Sequence, residues 1–314
     1  AIKKLSPSTT CILVEGPWFH GGWARSRGEK LGDVWFGSKT SDYYMKNIEV
    51  SFFNYYLKGE GDATKQADAT VFITGENSWH NFAHWPPQTY TPTDMYLHED
   101  GKLSFNNPAT KETTDSYVSD PMKPVPYTDA VHRDRTVEYM SDDQRFASRR
   151  TDVLTYETDT LIDKVTLTGP ILADLFTAIS TTDADFVVKL IDVFPDDFKY
   201  PDSAKIDYPM GGYQMLVRAE IMRGRYRNSF EKPEAFVPGQ VNEVKFELPD
   251  VAHTFLKGHR IMIQIQSTWF PLADRNPQQF IDPYTCLTKD LIKSTITIYH
   301  NQMNASKIVL PVLK

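Results

Sequence analysis

The segment VEGPWFHGGW, residues 14–23, sets an imidazole, His20, among glycine, proline and tryptophan just after the apolar run 11–14. Histidine is the side chain best suited to moving a proton near neutral pH. A stiff turn suits a general base, whose ring must point one nitrogen at a hydroxyl and the other at an orienting acid. Pro17 and the tryptophans Trp18 and Trp23 supply stiffness, and Gly21 and Gly22 supply room. The competing reading is a structural histidine in a tight loop. A base also needs a nucleophile, and no serine of the chain has glycine at both −2 and +2. Neither Cys11 nor Cys286 offers an alternative, and Asp33 and Asp42 follow His20 rather than precede it. His80 and His84 are spaced i, i+4 like zinc ligands, but Asn81 stands where a zinc protease needs glutamate, so no metal site is predicted. Asp183 and Asp185, like Asp196 and Asp197, read as short acidic turns without the oxygen-ligand pattern of a calcium loop. Trp269 and Phe270, in STWFPLADRNPQ (267–278), could line a substrate pocket or pack at a domain interface, as could Trp18.

The elements around His20 predict two unequal parts. Residues 1–88 read as α/β. A strand at 10–14, apolar throughout, is expected to be buried on both faces. A glycine-rich loop follows, then a helix over 41–57 with Met45, Ile48, Phe52 and Tyr56 on one stripe, Thr40 or Ser41 as cap and Gly59 as stop. A second strand is expected at 70–74, and Trp85-Pro86-Pro87 marks a boundary. One or two strands and a helix cannot close an α/β domain by themselves. His20, in the loop after a buried strand, has the place of the last triad member in the α/β-hydrolase order Ser, Asp/Glu, His.

Residues 89–314 read as β throughout. Strands are expected near 94–98, 153–157, 163–168, 172–179, 186–194, 213–222, 241–248, 260–268, 294–300 and 307–311. In 244–248 (VKFEL) and 261–266 (IMIQIQ) alternation predicts a sheet with one wet face. About ten such strands indicate a two-sheet sandwich of jelly-roll type. The fold class is thus mainly β, a jelly-roll β-sandwich preceded by the C-terminal segment of an incomplete α/β-hydrolase domain.

A net charge of −7 argues against a nucleic-acid partner. The arginines Arg218, Arg223, Arg225 and Arg227 read as a solvated face. No apolar run reaches the ~18 residues of a membrane span. Two cysteines are read as free thiols.

Several long motifs carry a resemblance: GPWFHGGW (16–23), GENSWHNFAHWPP (75–87), DDQRFASRRTDVLTYET (142–158), DADFVVKLIDVFPDD (183–197) and LPDVAHTFLKGHRIMIQIQSTWFPLADRNPQ (248–278). The chain resembles CocE/NonD hydrolases, and within them α-amino acid ester hydrolases and glutaryl 7-aminocephalosporanic acid acylases. The resemblance implies an α/β-hydrolase domain followed by a jelly roll like that of X-Pro dipeptidyl peptidases. It makes His20 the triad histidine. The serine and aspartate would lie in an N-terminal hydrolase segment outside this sequence, and the chain alone would be inactive. It implies acyl transfer on a small-molecule ester or amide, no cofactor, a possible homo-oligomer and a periplasmic or secreted location. The alternative is a non-catalytic β-sandwich serving binding or assembly.

Overall fold

The N-terminal third builds a small mixed sheet against the side of a larger sandwich. The computed structural model describes residues 2–62, 66–111 and 113–314. Its first part holds β1 (Leu13–Glu15), a ribbon of β2 (Lys30–Leu31) and β3 (Val34–Trp35), a helix over 40–58, then β4 (Ala69–Ile73) and β5 (Ser78–Phe82). The sheet order is β1-β4-β5, with β1 parallel and β5 antiparallel to β4. The expected doubly buried first strand is corrected: β1 is only half-buried, because β4 covers one edge and no described strand pairs with the other. β4 is buried at every position.

The helix over 40–58 alternates α turns (Thr40–Tyr43, Val50–Phe53) with wider π turns (Tyr44–Glu49, Asn54–Lys58), and Gly59 ends it in the left-handed region, φ 70°. The wide turns rotate successive side chains off a 3.6-residue stripe. Ile48 and Phe52 are therefore half-buried, while Met45 and Tyr56 of the expected stripe are exposed. Thr40 and Ser41 do not cap the helix; their hydroxyls turn to Gly28 and Gly22 instead.

The second part contains β6 (Tyr90–Leu97), β7 (Leu103–Ser104), β8 (Thr114–Ser119), β9 (Leu154–Glu157), β10 (Val165–Ile179), β11 (Asp185–Val193), β12 (Gln214–Arg223), β13 (Asn242–Phe255), β14 (Arg260–Gln266), β15 (Ser294–Tyr299) and β16 (Lys307–Leu313). One sheet runs β7-β6-β16-β10-β15-β8, with β13 also on β10; the other runs β12-β11-β14-β9. Leu97, Leu167, Leu175, Phe186, Val188, Leu190, Ile263, Ile296 and Leu310 fill the space between them. The fold is the jelly-roll sandwich that the alternation predicts. The break expected between 168 and 172 is a bulge inside one long strand, at Gly169, whose φ of 124° excludes most side chains.

Alternation holds along Val244-Lys245-Phe246-Glu247-Leu248, which is apolar in and charged out. It fails along β14, where Met262, Gln264 and Gln266 are as buried as the isoleucines. Loops cover this second face: Gln264 Nε2 donates to Gln144 O (3.4 Å) and Gln266 Nε2 to Thr268 O (2.7 Å). Beneath the same cover lies Lys189 of β11, fully buried, donating to Gln144 Oε1 at 2.9 Å.

Burial pushes the Lys189 ammonium down to about 7. An unfolded lysine titrates near ~10.4, so between those values the unfolded chain binds more protons and stability rises with pH. Lys189→Met should flatten that rise in urea unfolding compared at pH 7 and pH 10. An unaltered slope would mean that Lys189 stays charged in the fold.

The arginine stretch is corrected in part: Arg218 is exposed as expected, whereas Arg225 is not, and the acidic turn at 183–185 is covered. Asp183 and Asp185 are buried, and so is Arg225. Arg225 Nε donates to Asp183 Oδ2 at 2.7 Å, and Asn276 Nδ2 donates to both aspartates, at 3.1 and 2.7 Å. Arg223 pairs with Asp185 at 3.3 Å. These residues close the sandwich edge rather than face solvent.

The two parts are joined by shared core and backbone. Val34, Phe36 and Phe72 pack with Phe194, Met210, Tyr213 and Met215. Just past β4, Thr74 N–H donates to Ala252 O (3.2 Å) and Thr254 N–H to Thr74 O (2.8 Å).

Candidate functional site

The His20 turn follows directly from β1. Trp18 N–H donates to Gly16 O at 2.9 Å, closing a three-residue turn around Pro17. Gly22 N–H then donates to Phe19 O at 2.7 Å, and Gly21 sits at φ 78°, ψ 6°. Those are the dihedrals of the third residue of a type II turn, a position that glycine fills without strain. His20 is therefore at the turn's tip, immediately before the short helix Gly22–Arg25.

Its ring is exposed and lies 6.4 Å from the Trp23 ring. Among the described residues it has no hydrogen-bond partner on either nitrogen. Such an imidazole can take or give a proton, but no hydroxyl or carboxylate of the described chain is bonded to it.

Trp18, two residues earlier, faces inward. Its indole N–H donates to Thr40 Oγ1 at 2.8 Å, and its ring packs against Trp23, Tyr44 and Trp79 at 6.4, 5.3 and 5.9 Å. It also borders a cavity of about 250 Å³ between the two parts, with Met140, Met215 and Arg218 opposite. Trp269 and Phe270 lie elsewhere. Trp269 is buried with Tyr127, Val187, Ile191 and Met262, and the Lys189 ammonium is 5.6 Å from its ring. Phe270 is partly exposed beside the Arg275 guanidinium, 5.4 Å away. No hydrogen bond or ring contact among the described residues links either to the His20 turn. His80, a strand residue of β5, has Nε2 2.9 Å from both Glu76 Oε1 and Ser78 Oγ.

Two groupings had no sequence signal. The first is at the seam. His253, fully buried, has Nδ1 2.8 Å from Thr74 Oγ1 and Nε2 3.1 Å from Asp192 Oδ2, while His259 Nδ1 lies 2.8 Å from Asp192 Oδ1. Burial opposes the Asp192 charge, but the two imidazoles outweigh it and hold its carboxyl below the usual range. The second is a cleft of about 480 Å³ whose lining includes Asp33, Asp129, Glu138, Asp142 and Asp143. Burial, then the charges of Asp143, Asp33 and Asp129, push Asp142 up to about 6, against a backbone hydrogen bond from Asp143. The first joins β11, β13 and the turn before β14, and the second brings Asp33, in the β2–β3 turn, to the loop 129–143.

Residues 61–309 match the family described as the X-Pro dipeptidyl-peptidase C-terminal non-catalytic domain. His20 lies outside the matched stretch. The chain is similar to cocaine esterase of Rhodococcus sp., 31 % identical over 96 % of this chain and 51 % of that protein. Among solved structures it is similar to an aminopeptidase from a marine sediment Thaumarchaeota archaeon, 38 % identical with a TM-score of 0.91, covering 100 % of this chain and 51 % of that one. It is also similar to an α-amino acid ester hydrolase, 35 % identical with a TM-score of 0.88, covering 96 % and 50 %. In each case the chain spans about half the length of the protein it matches.

Proposed function

This chain belongs to the X-Pro dipeptidyl-peptidase C-terminal domain family, and from that premise we propose that it is the C-terminal part of a serine hydrolase acting by acyl transfer, with His20 as general base. The observation that carries the reading is the His20 ring itself, aimed outward from a rigid turn with both nitrogens unengaged among the described residues. A histidine held for packing would be covered and bonded.

The surroundings support the same reading. β1 presents an unpaired edge among the described strands. The helix over 40–58 exposes Met45, Val50, Phe53, Tyr56 and Leu57, and a groove of about 420 Å³ lined by Ile12, Val14, Ile48 and Phe52 runs beside it. Open strand edges and apolar patches of this kind call for a covering partner. An N-terminal hydrolase segment would complete the sheet and bring the serine and the acid. His20 would then draw the serine proton as the hydroxyl attacks a small ester or amide, and return it to the leaving group. Two of the relatives are named for esters, one of them for α-amino acid esters, and a third is named an aminopeptidase.

The test compares this chain with the full-length protein, using a fluorophosphonate serine probe and p-nitrophenyl acetate. Labelling and turnover are expected in the full-length protein and in neither assay for this chain alone. Turnover by the isolated chain would sink the proposal.

A further inference from the structure

We infer that Thr40 and Trp18 are positioning residues for His20, holding its turn through a buried hydrogen-bond relay; the inference rests on the reading of His20 as the general base. Thr40 opens the helix over 40–58, yet its side chain takes no part in capping it. It is fully buried, and its hydroxyl donates to Gly28 O at 2.7 Å while accepting the Trp18 indole N–H at 2.8 Å. Its single proton is thus used once, and each neighbour has one partner. Ser41 beside it, also buried, reaches Gly22 O at 3.5 Å, two residues past His20.

Two glycines are shaped to this relay. Gly28 sits at φ +68°, and a β-carbon there would meet Thr40 Oγ1 at 2.2 Å and Trp18 Nε1 at 2.7 Å. A β-carbon on Gly16 would lie 2.5 Å from the Trp18 ring. The indole is therefore seated directly on the backbone that leads into the turn. Trp23 touches both ends of the arrangement, with its ring 6.4 Å from Trp18 and 6.4 Å from His20. The turn and the helix start are joined by the Trp18–Thr40 bond and, more weakly, by Ser41 to Gly22, so the relay helps to fix where the turn sits.

In the full-length protein, Thr40→Val keeps the shape and removes the hydroxyl. It is expected to lower kcat on p-nitrophenyl acetate by ~10- to 100-fold with KM within about twofold, because a small misplacement of a reacting group costs on that order. Thr40→Ser restores the hydroxyl and should recover kcat to within about threefold. Trp18→Phe, which keeps an aromatic ring and loses the N–H, should reproduce the kcat loss and serves if Thr40→Val fails to fold. Wild-type kcat in Thr40→Val or Trp18→Phe overturns the relay, as does a loss that Thr40→Ser shares. His20→Ala run alongside separates the cases: full turnover there removes the general-base reading itself, whereas its loss with Thr40→Val unaffected removes the relay alone.

Discussion

Replacing His20 by alanine in the full-length protein should lower kcat for ester hydrolysis by ~10⁴-fold or more, the range seen when one member of a catalytic triad is removed. Without the imidazole the serine has no acceptor for its proton, and the leaving group has no donor. Substrate contacts made elsewhere remain, so KM should move little. In this chain on its own, the same substitution should leave stability unchanged. His20 is exposed, and no hydrogen bond of the described chain depends on it. Substitutions at such positions stay within about 0.5 kcal/mol. Steady-state kinetics beside a thermal melt therefore isolate chemistry from folding. Turnover within tenfold of wild type would end the catalytic reading of the turn.

The largest effect on stability is expected at Asp183. Asp183→Ala removes the carboxylate that faces Arg225 and leaves a guanidinium buried at the sandwich edge. Among the described residues, Arg225 would keep only the carbonyls of Ile281 and Gln279, at 2.8 and 3.2 Å, and the Phe280 ring at 5.0 Å. Asn276 would also lose one of its two carboxylate acceptors. Breaking one partner of a buried pair costs about 3–5 kcal/mol. For a sandwich of this size that lowers Tm by roughly 10 °C. The double variant Asp183→Leu with Arg225→Met should recover most of the loss, since removing both charges removes the stranded one. Calorimetry on the three proteins decides it. A single variant as stable as the parent would show that water reaches Arg225 and that the pair is not sealed.

Much of the architecture was legible along the chain because it rests on short-range rules. Alternation at 244–248 placed an amphipathic strand, and the glycine after 58 placed the end of the helix. Legibility stopped where a surface was covered by something distant. The glutamines of β14 look like a wet face, and only loops 144 and 268 reaching over them show that they are inside. Nothing along 186–194 tells that Lys189 is covered until its burial against Gln144 and Trp269 is seen. The Asp192–His253–His259 grouping spans residues 192 to 259 and joins β11, β13 and the turn before β14, so no local window contains it.

For the candidate site the division is sharper. Glycine at 21 and 22, proline at 17 and a histidine between them determine a rigid turn with an outward ring, because backbone permission and ring stiffness are properties of the residues themselves. Which side chains anchor that turn was decided by tertiary structure. Thr40 has the composition of a helix cap. It becomes a link between Trp18 and Gly28 only because the helix start folds against the turn and shuts out water, where a hydroxyl must find its partners within the protein.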